Sequence, residues 1–217
     1  MTVCVGFLDE DKNGILMADS SKWRENGDLY GSGYLKIKQL ELNLKCSFSN
    51  LIKTKRRSIG IAFAGYAEAI EYIMSSIKEP ILVDDFNISK SINLIGNLFH
   101  SLLRDNFGLL NIRVDIIIMG FCDYKGNIIA YKLQLNPSTE CDIDRSKDEY
   151  LIPGKGPAVI GGGLDDDYFE TKSLENMYKC FMKRKVRGFQ ISEPIKYGMI
   201  SIENKNFKYK GDYVSKS

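Results

Sequence analysis

The chain has 217 residues, 44% of them hydrophobic and 27% charged, enough for a single domain over residues 1–217 with its own core, and its formal charge of +2 offers no footprint for nucleic acid. Five cysteines (Cys4, Cys46, Cys122, Cys141, Cys180) without a close pair predict buried thiols in a reducing compartment, and one histidine, His100, excludes a histidine-rich metal site. No apolar run approaches the ~18 residues of a membrane span and no charged-then-apolar leader is visible, so the expectation is a cytoplasmic protein away from the membrane.

The first predicted element is a hairpin. Met1–Phe7 and Asn13–Ser20 are short apolar runs flanking the turn-forming cluster Asp9–Gly14. A core strand entered at residue 2 implies that the residue there is held for a purpose, because chain ends are normally loose and polar. That residue is Thr2. A hydroxyl becomes a nucleophile when a base takes its proton, and a terminal threonine carries such a base in its own α-amino group, which titrates near ~8. Removal of Met1, a usual event before a small residue, completes the arrangement.

Ser21–Gly33 is polar, glycine-rich and reads as a surface loop with Trp23 as a lid or oligomer contact. Tyr34–Leu40 alternates as a half-buried strand, with Lys36 and Lys38 on one face. A fixed positive charge beside a terminal threonine lowers the pKa of its hydroxyl and its amine. The basic run Lys53–Arg57 reads as a solvated hairpin tip. Ser58–Gly65, rich in small residues, then enters a helix over Ala67–Ile77. A strand-to-helix turn at small residues exposes backbone amides beside a helix dipole, the parts of an oxyanion hole.

Beyond Pro80 a second helix is predicted from Asp84 to about Asn106, with His100 structural, followed by a hairpin of Ile112–Phe121 and Asn127–Leu135. An acidic connection over Ser138–Glu149 leads to the short strand Pro157–Ile160. Gly161-Gly162-Gly163 lacks the Lys-Ser/Thr of a phosphate loop, and Asp165-Asp166-Asp167 lacks the alternate spacing of a calcium loop, so no cofactor and no metal are expected. A third helix over Ser173–Arg187 and a last hairpin, Met199–Glu203 with Phe207–Lys210, close the chain.

Met1-Thr2-Val3-Cys4-Val5-Gly6, the small residue and acid of Ala18-Asp19-Ser20, the Lys36 strand and the Gly65 turn resemble the proteasome β-type subunits, the opening being similar to the bacterial heat-shock peptidase and the ancestral bacterial β-type homologues. The resemblance implies an α+β, four-layer αββα sandwich of the N-terminal nucleophile hydrolase type and a threonine-type peptidase. It assigns Thr2 as nucleophile, Asp19 and Lys36 as its tuning pair (Lys38 if the strand shifts by two), and the amide of Ala62 as oxyanion donor. Gly60 and Glu68 fall on positions that shape the pocket before the scissile bond, a combination implying cleavage after Arg or Lys, and Tyr34 and Ala64 join them in substrate binding. The family's late aspartate falls near Glu193, while Gly162 stands where the family has a serine. The implied partners are an unfolded polypeptide or peptide substrate, further copies of the chain in a ring or helical assembly, and an ATP-dependent unfoldase. A catalytically silent scaffold and a non-peptide amide hydrolase of the same mechanism are the alternatives.

Overall fold

The computed structural model describes residues 3–20, 22–23, 29–31, 35–48, 51–83, 88–139, 148–151, 156–161, 173–186, 191 and 193–214. In chain order the strands are β1 (Val3–Leu8), β2 (Gly14–Ala18), β3 (Lys22–Trp23), β4 (Leu29–Gly31), β5 (Ile37–Phe48), β6 (Leu51–Gly65), β7 (Ile81–Val83), β8 (Val114–Cys122), β9 (Asn127–Leu135), β10 (Asp148–Tyr150), β11 (Ala158–Gly161), β12 (Lys196–Ile200) and β13 (Phe207–Asp212). The helices are α1 (Ala67–Ser76), α2 (Ile88–Phe107) and α3 (Leu174–Val186).

Two sheets result. One has five strands in the order β11-β1-β2-β12-β13, the other six in the order β10-β9-β8-β6-β5-β7. Every neighbour is antiparallel except β5 with β7. The period-two pattern of the strands decides the layering, because alternate side chains leave opposite faces of a sheet. Val3, Val5, Phe7, Ile15 and Met17 pack outward with Met177 and Phe181 of α3. Cys4, Leu16 and Ala18, one residue out of phase, meet Ala62, Ala64, Ile117 and Met119 between the sheets. Ile59, Ile61, Phe63, Ile116 and Ile118 face Ile70 and Ile73 of α1 and Ile92, Ile95 and Phe99 of α2. The chain is therefore an αββα sandwich in four layers, as the sequence implied.

The β1–β2 turn is closed by Asp9, whose Oδ1 accepts the Asn13 amide at 2.7 Å and whose Oδ2 accepts Asn13 Nδ2 at 3.0 Å. Between the sheets, Phe207 from the last strand lies against two glycines: a Cβ on Gly60 would stand 2.4 Å from its ring and one on Gly198 2.2 Å. Burying that ring contributes on the order of 1.5–3 kcal/mol, which only glycine at both positions allows.

Several elements differ from the sequence reading. The basic run is part of β6 rather than a hairpin tip: Lys55 and Arg56 are exposed, while Arg57 is buried and its Nη2 donates to both Asp123 carboxylate oxygens at 3.0 and 3.1 Å. The expected loop 21–33 contains the small β3–β4 pair, and the expected strand over Tyr34–Leu40 begins at Ile37. Strands β7 and β10, three residues each, were absent from the sequence reading; both lie at the edges of the larger sheet, where pairing on one side suffices to form a strand without a strong apolar pattern.

Candidate functional site

Six chain segments converge at one end of the sandwich. Strand β1 starts there at Val3, opposite the end of β11 at Gly161, and β2 ends there, with Ala18 opposite Lys196 at the start of β12. Residue 36 enters from the other sheet just before β5 begins, and β6 ends nearby at Gly65. Antiparallel pairing of a chain start with chain ends brings this about.

The centre of this end is Asp19. Its Oδ1 accepts Lys36 Nζ at 2.9 Å and the Val3 amide at 3.0 Å, and its own amide donates to the Val3 carbonyl at 3.2 Å. Asp19 is fully buried and Lys36 is 3% exposed. The Lys36 main chain is fastened as well, its carbonyl accepting the Phe63 amide at 3.0 Å. A buried ion pair of this kind gains little stability over well-packed apolar side chains, whereas removal of one partner costs about 3–5 kcal/mol. One carboxylate oxygen thus ties a buried cation to the first peptide unit of β1. The register needs no two-residue shift to Lys38: Lys36, immediately before β5, makes the contact.

Cys4 is the next side chain inward. Its thiol donates to the Phe63 carbonyl at 3.2 Å. Burial pushes the thiol far above its ordinary range and Asp19 adds to this, opposed by Lys36 and the Phe63 hydrogen bond, so Cys4 is a neutral packing group rather than a nucleophile.

The direction of each backbone amide along β6 follows from two fixed points. Phe63 N–H points to β5, where it meets Lys36, and Tyr66 N–H points to β8, where it meets the Arg113 carbonyl at 3.4 Å. Amides alternate along a strand, so those of Ala62 and Ala64 point to β8, opposite Ile117 and Asp115, and that of Gly65 points to the β5 side. The last β5–β6 pair is Ile37 with Ala62, so Gly65 lies beyond the end of β5. Gly65 is exposed, has φ 122°, and a Cβ there would stand 2.2 Å from the Arg113 carbonyl oxygen. Glycine is required at this point, immediately before the N-terminus of α1.

The sequence-predicted residues thus divide. Asp19 and Lys36 are brought together, and the Val3 amide joins them. Ala62 and Ala64 are buried between the sheets. Gly60 faces Phe207 and Leu16 in the same layer. Glu68 is exposed in the first turn of α1. Glu193 is exposed and precedes β12, at the end of the sheet where Asp19 lies. Thr2, Tyr34 and Gly162 lie outside the described residues.

No family model matches the sequence and no curated protein matches it. Solved structures match in fold. Anbu (ancestral beta-subunit) from Yersinia bercovieri is 11% identical with a TM-score of 0.63, over 96% of this chain and 87% of that one. Anbu from Hyphomicrobium sp. strain MC1 is 14% identical with a TM-score of 0.59 over 96% and 87%, and its Gly-1 mutant 13% identical with a TM-score of 0.60 over 98% and 87%. The chain therefore shares the αββα fold of these structures. Membership of the proteasome β-type family, expected from the opening residues, Asp19, the Lys36 strand and the Gly65 turn, is corrected by the same findings: at 11% to 14% identity the likeness is one of fold. Among the described residues no helix is long and apolar enough to cross a membrane.

Proposed function

We propose that this chain is a hydrolase of peptide bonds, a threonine-type peptidase whose nucleophile is Thr2 after removal of Met1. The observation that carries the reading is the fully buried Asp19 carboxylate, shared between Lys36 Nζ and the amide of Val3, the residue that follows Thr2. A buried lysine paired with an aspartate at the first residues of a core strand has a chemical use there and little structural one.

In this mechanism Thr2 Oγ bonds to the carbonyl carbon of the substrate while its proton passes to the Thr2 α-amino group. The Lys36 charge favours the deprotonated forms of both. The oxyanion forms next to the Gly65 amide, which replaces Ala62 as the donor because it lies past the end of β5. The α-ammonium returns the proton to the leaving amine as the C–N bond breaks, and water, activated by the same amine, hydrolyses the ester and restores Thr2. Glu68, exposed three residues beyond Gly65, supplies an acid for a basic side chain, which keeps Arg or Lys as the favoured residue before the cut. The substrate is an unfolded polypeptide or peptide, and the reading includes a ring or helical homo-oligomer in the cytoplasm, fed by an ATP-dependent unfoldase.

The test combines intact mass with kinetics. The expected result is loss of Met1, labelling of Thr2 by an epoxyketone or β-lactone, cleavage of fluorogenic peptides fastest after Arg or Lys, and a loss of about 10³-fold or more in kcat for Thr2→Ala. A chain that retains Met1 and cleaves nothing is a silent scaffold, and the reading fails.

A further inference from the structure

Among the described residues, two of the three helices present only polar side chains to solvent. The exposed positions of α1 are Glu68, Glu71, Ser75 and Ser76, and those of α3 are Asn176, Lys179 and Lys183. Helix α2 differs. Leu94 and Leu98, one turn apart, are 47% and 37% exposed, and Leu109 and Leu110 lie exposed just past its end. Positions 90, 94, 98, 101 and 105 share one stripe of an α-helix, which here reads Lys90, Leu94, Leu98, Ser101 and Asp105. The last four are exposed. The ends of this stripe also run against their own helix: Lys90 lies in the first turn and Asp105 in the last, the reverse of what the helix dipole favours. An antiparallel neighbouring helix removes the conflict, because its negative end stands beside Lys90 and its positive end beside Asp105.

We infer that the outer face of α2 binds the same face of a second copy of this chain, antiparallel about a two-fold axis beside Leu98. That operation sets Lys90 against Asp105 of the second copy at both ends, and Leu94 against its Ser101, a residue small enough to leave room for the leucine. The two Leu98 side chains meet near the axis. A crossing of about 20° with the helix axes about 8–10 Å apart keeps both ends in reach over the about 22 Å from Lys90 to Asp105. The leucines supply the attraction and the charges fix the direction, since a parallel pairing puts lysine on lysine and aspartate on aspartate. The inference rests on the self-association in the proposed function and uses none of its chemistry.

The experiment measures the mass of the full chain in solution by light scattering after gel filtration, for wild type, Lys90→Glu, Asp105→Lys, an equimolar mixture of those two variants, and the double variant Leu94→Gln with Leu98→Gln. Each single swap is expected to halve the mass, because like charges then face each other at both ends. The mixture returns to the wild-type mass as a heteromer, each end again holding one acid and one base. The leucine variant halves the mass as well. Both swaps suit the dipole of α2 itself, so helix content by circular dichroism is kept and the fall in mass is not unfolding. If the leucine variant does not fold, the mixture decides alone. A wild-type mass that neither swap changes, or a mixture that does not recover it, overturns the inference and leaves the assembly in place. A monomeric wild type overturns the inference and the assembly together. A chain that passes the mixing test and cleaves no peptide keeps the inference and loses only the threonine mechanism.

Discussion

Two ion pairs between a basic residue and an aspartate lie at different places in the sandwich and are built differently. Lys36–Asp19 is sealed, with side chains 3% and 0% exposed, and its acceptor oxygen is shared with a backbone amide. Arg57–Asp123 is open to solvent on the aspartate side, 9% and 24% exposed; Arg57 Nη2 meets both carboxylate oxygens, and Lys205 approaches the same carboxylate at 3.5 Å while lying 4.6 Å from the Phe121 ring. The second is what a structural latch requires: planar guanidinium geometry, a second cation and partial hydration, which together tie β6 to the β8–β9 turn and to the β12–β13 turn. The first has a single-point lysine contact in a dry site, a poor choice for stability. The difference separates a pair that fastens strands from a pair that sets an electric field.

The largest expected effect breaks the sealed pair. Lys36→Met leaves Asp19 buried without its cation, so stability falls by about 3–5 kcal/mol in urea melts and peptide cleavage is lost. Adding Asp19→Asn recovers most of the stability without recovering activity; recovery of both would erase the distinction. The open pair gives an intermediate effect: Arg57→Met strands Asp123 only partly, costs about 1–3 kcal/mol, and leaves kcat/KM within about twofold of wild type. A folded Arg57→Met chain as inactive as Lys36→Met would make both pairs functional.

The smallest effect concerns a third polar contact, on the α3 side, between a phenol and a carboxylate. Tyr213 donates its hydroxyl to Glu175 at 2.7 Å, and burial with that bond pushes its pKa up to about 12. The folded value lies above the ordinary value of 10.0, so the contribution is complete below about pH 10 and is lost as pH rises toward about 12, where the phenol ionises against Glu175. Tyr213→Phe therefore flattens the alkaline fall in Tm over that interval while leaving neutral-pH activity unchanged.

How much of this was legible in the sequence depended on the range of the cause. Asp19 and Lys36 could be read because each follows from a strand pattern of a few residues and a requirement for charge near position 2. The four layers were legible from strands alternating with amphipathic helices. The direction of the amides at Ala62 and Gly65 was not legible, because it depends on where β5 stops, and the sequence between Tyr34 and Leu40 alternates without marking that stop. The packing of Gly60 against Phe207, 147 residues further along the chain, has no local trace in the sequence. The family reading rested on the opening, Asp19, the Lys36 strand and the Gly65 turn, short segments that the chain as a whole, 11% to 14% identical to its structural neighbours, does not extend into shared sequence.

The strand order of the smaller sheet has a consequence for biosynthesis. The first hairpin, β1–β2, is flanked by β11 and β12, both translated long after it, so on the ribosome it waits with two bare edges while Phe207, which wedges the layers together, is still to be made. The buried Lys36–Asp19 pair is thus enclosed on the β12 side only when the last hairpin, β12–β13, arrives.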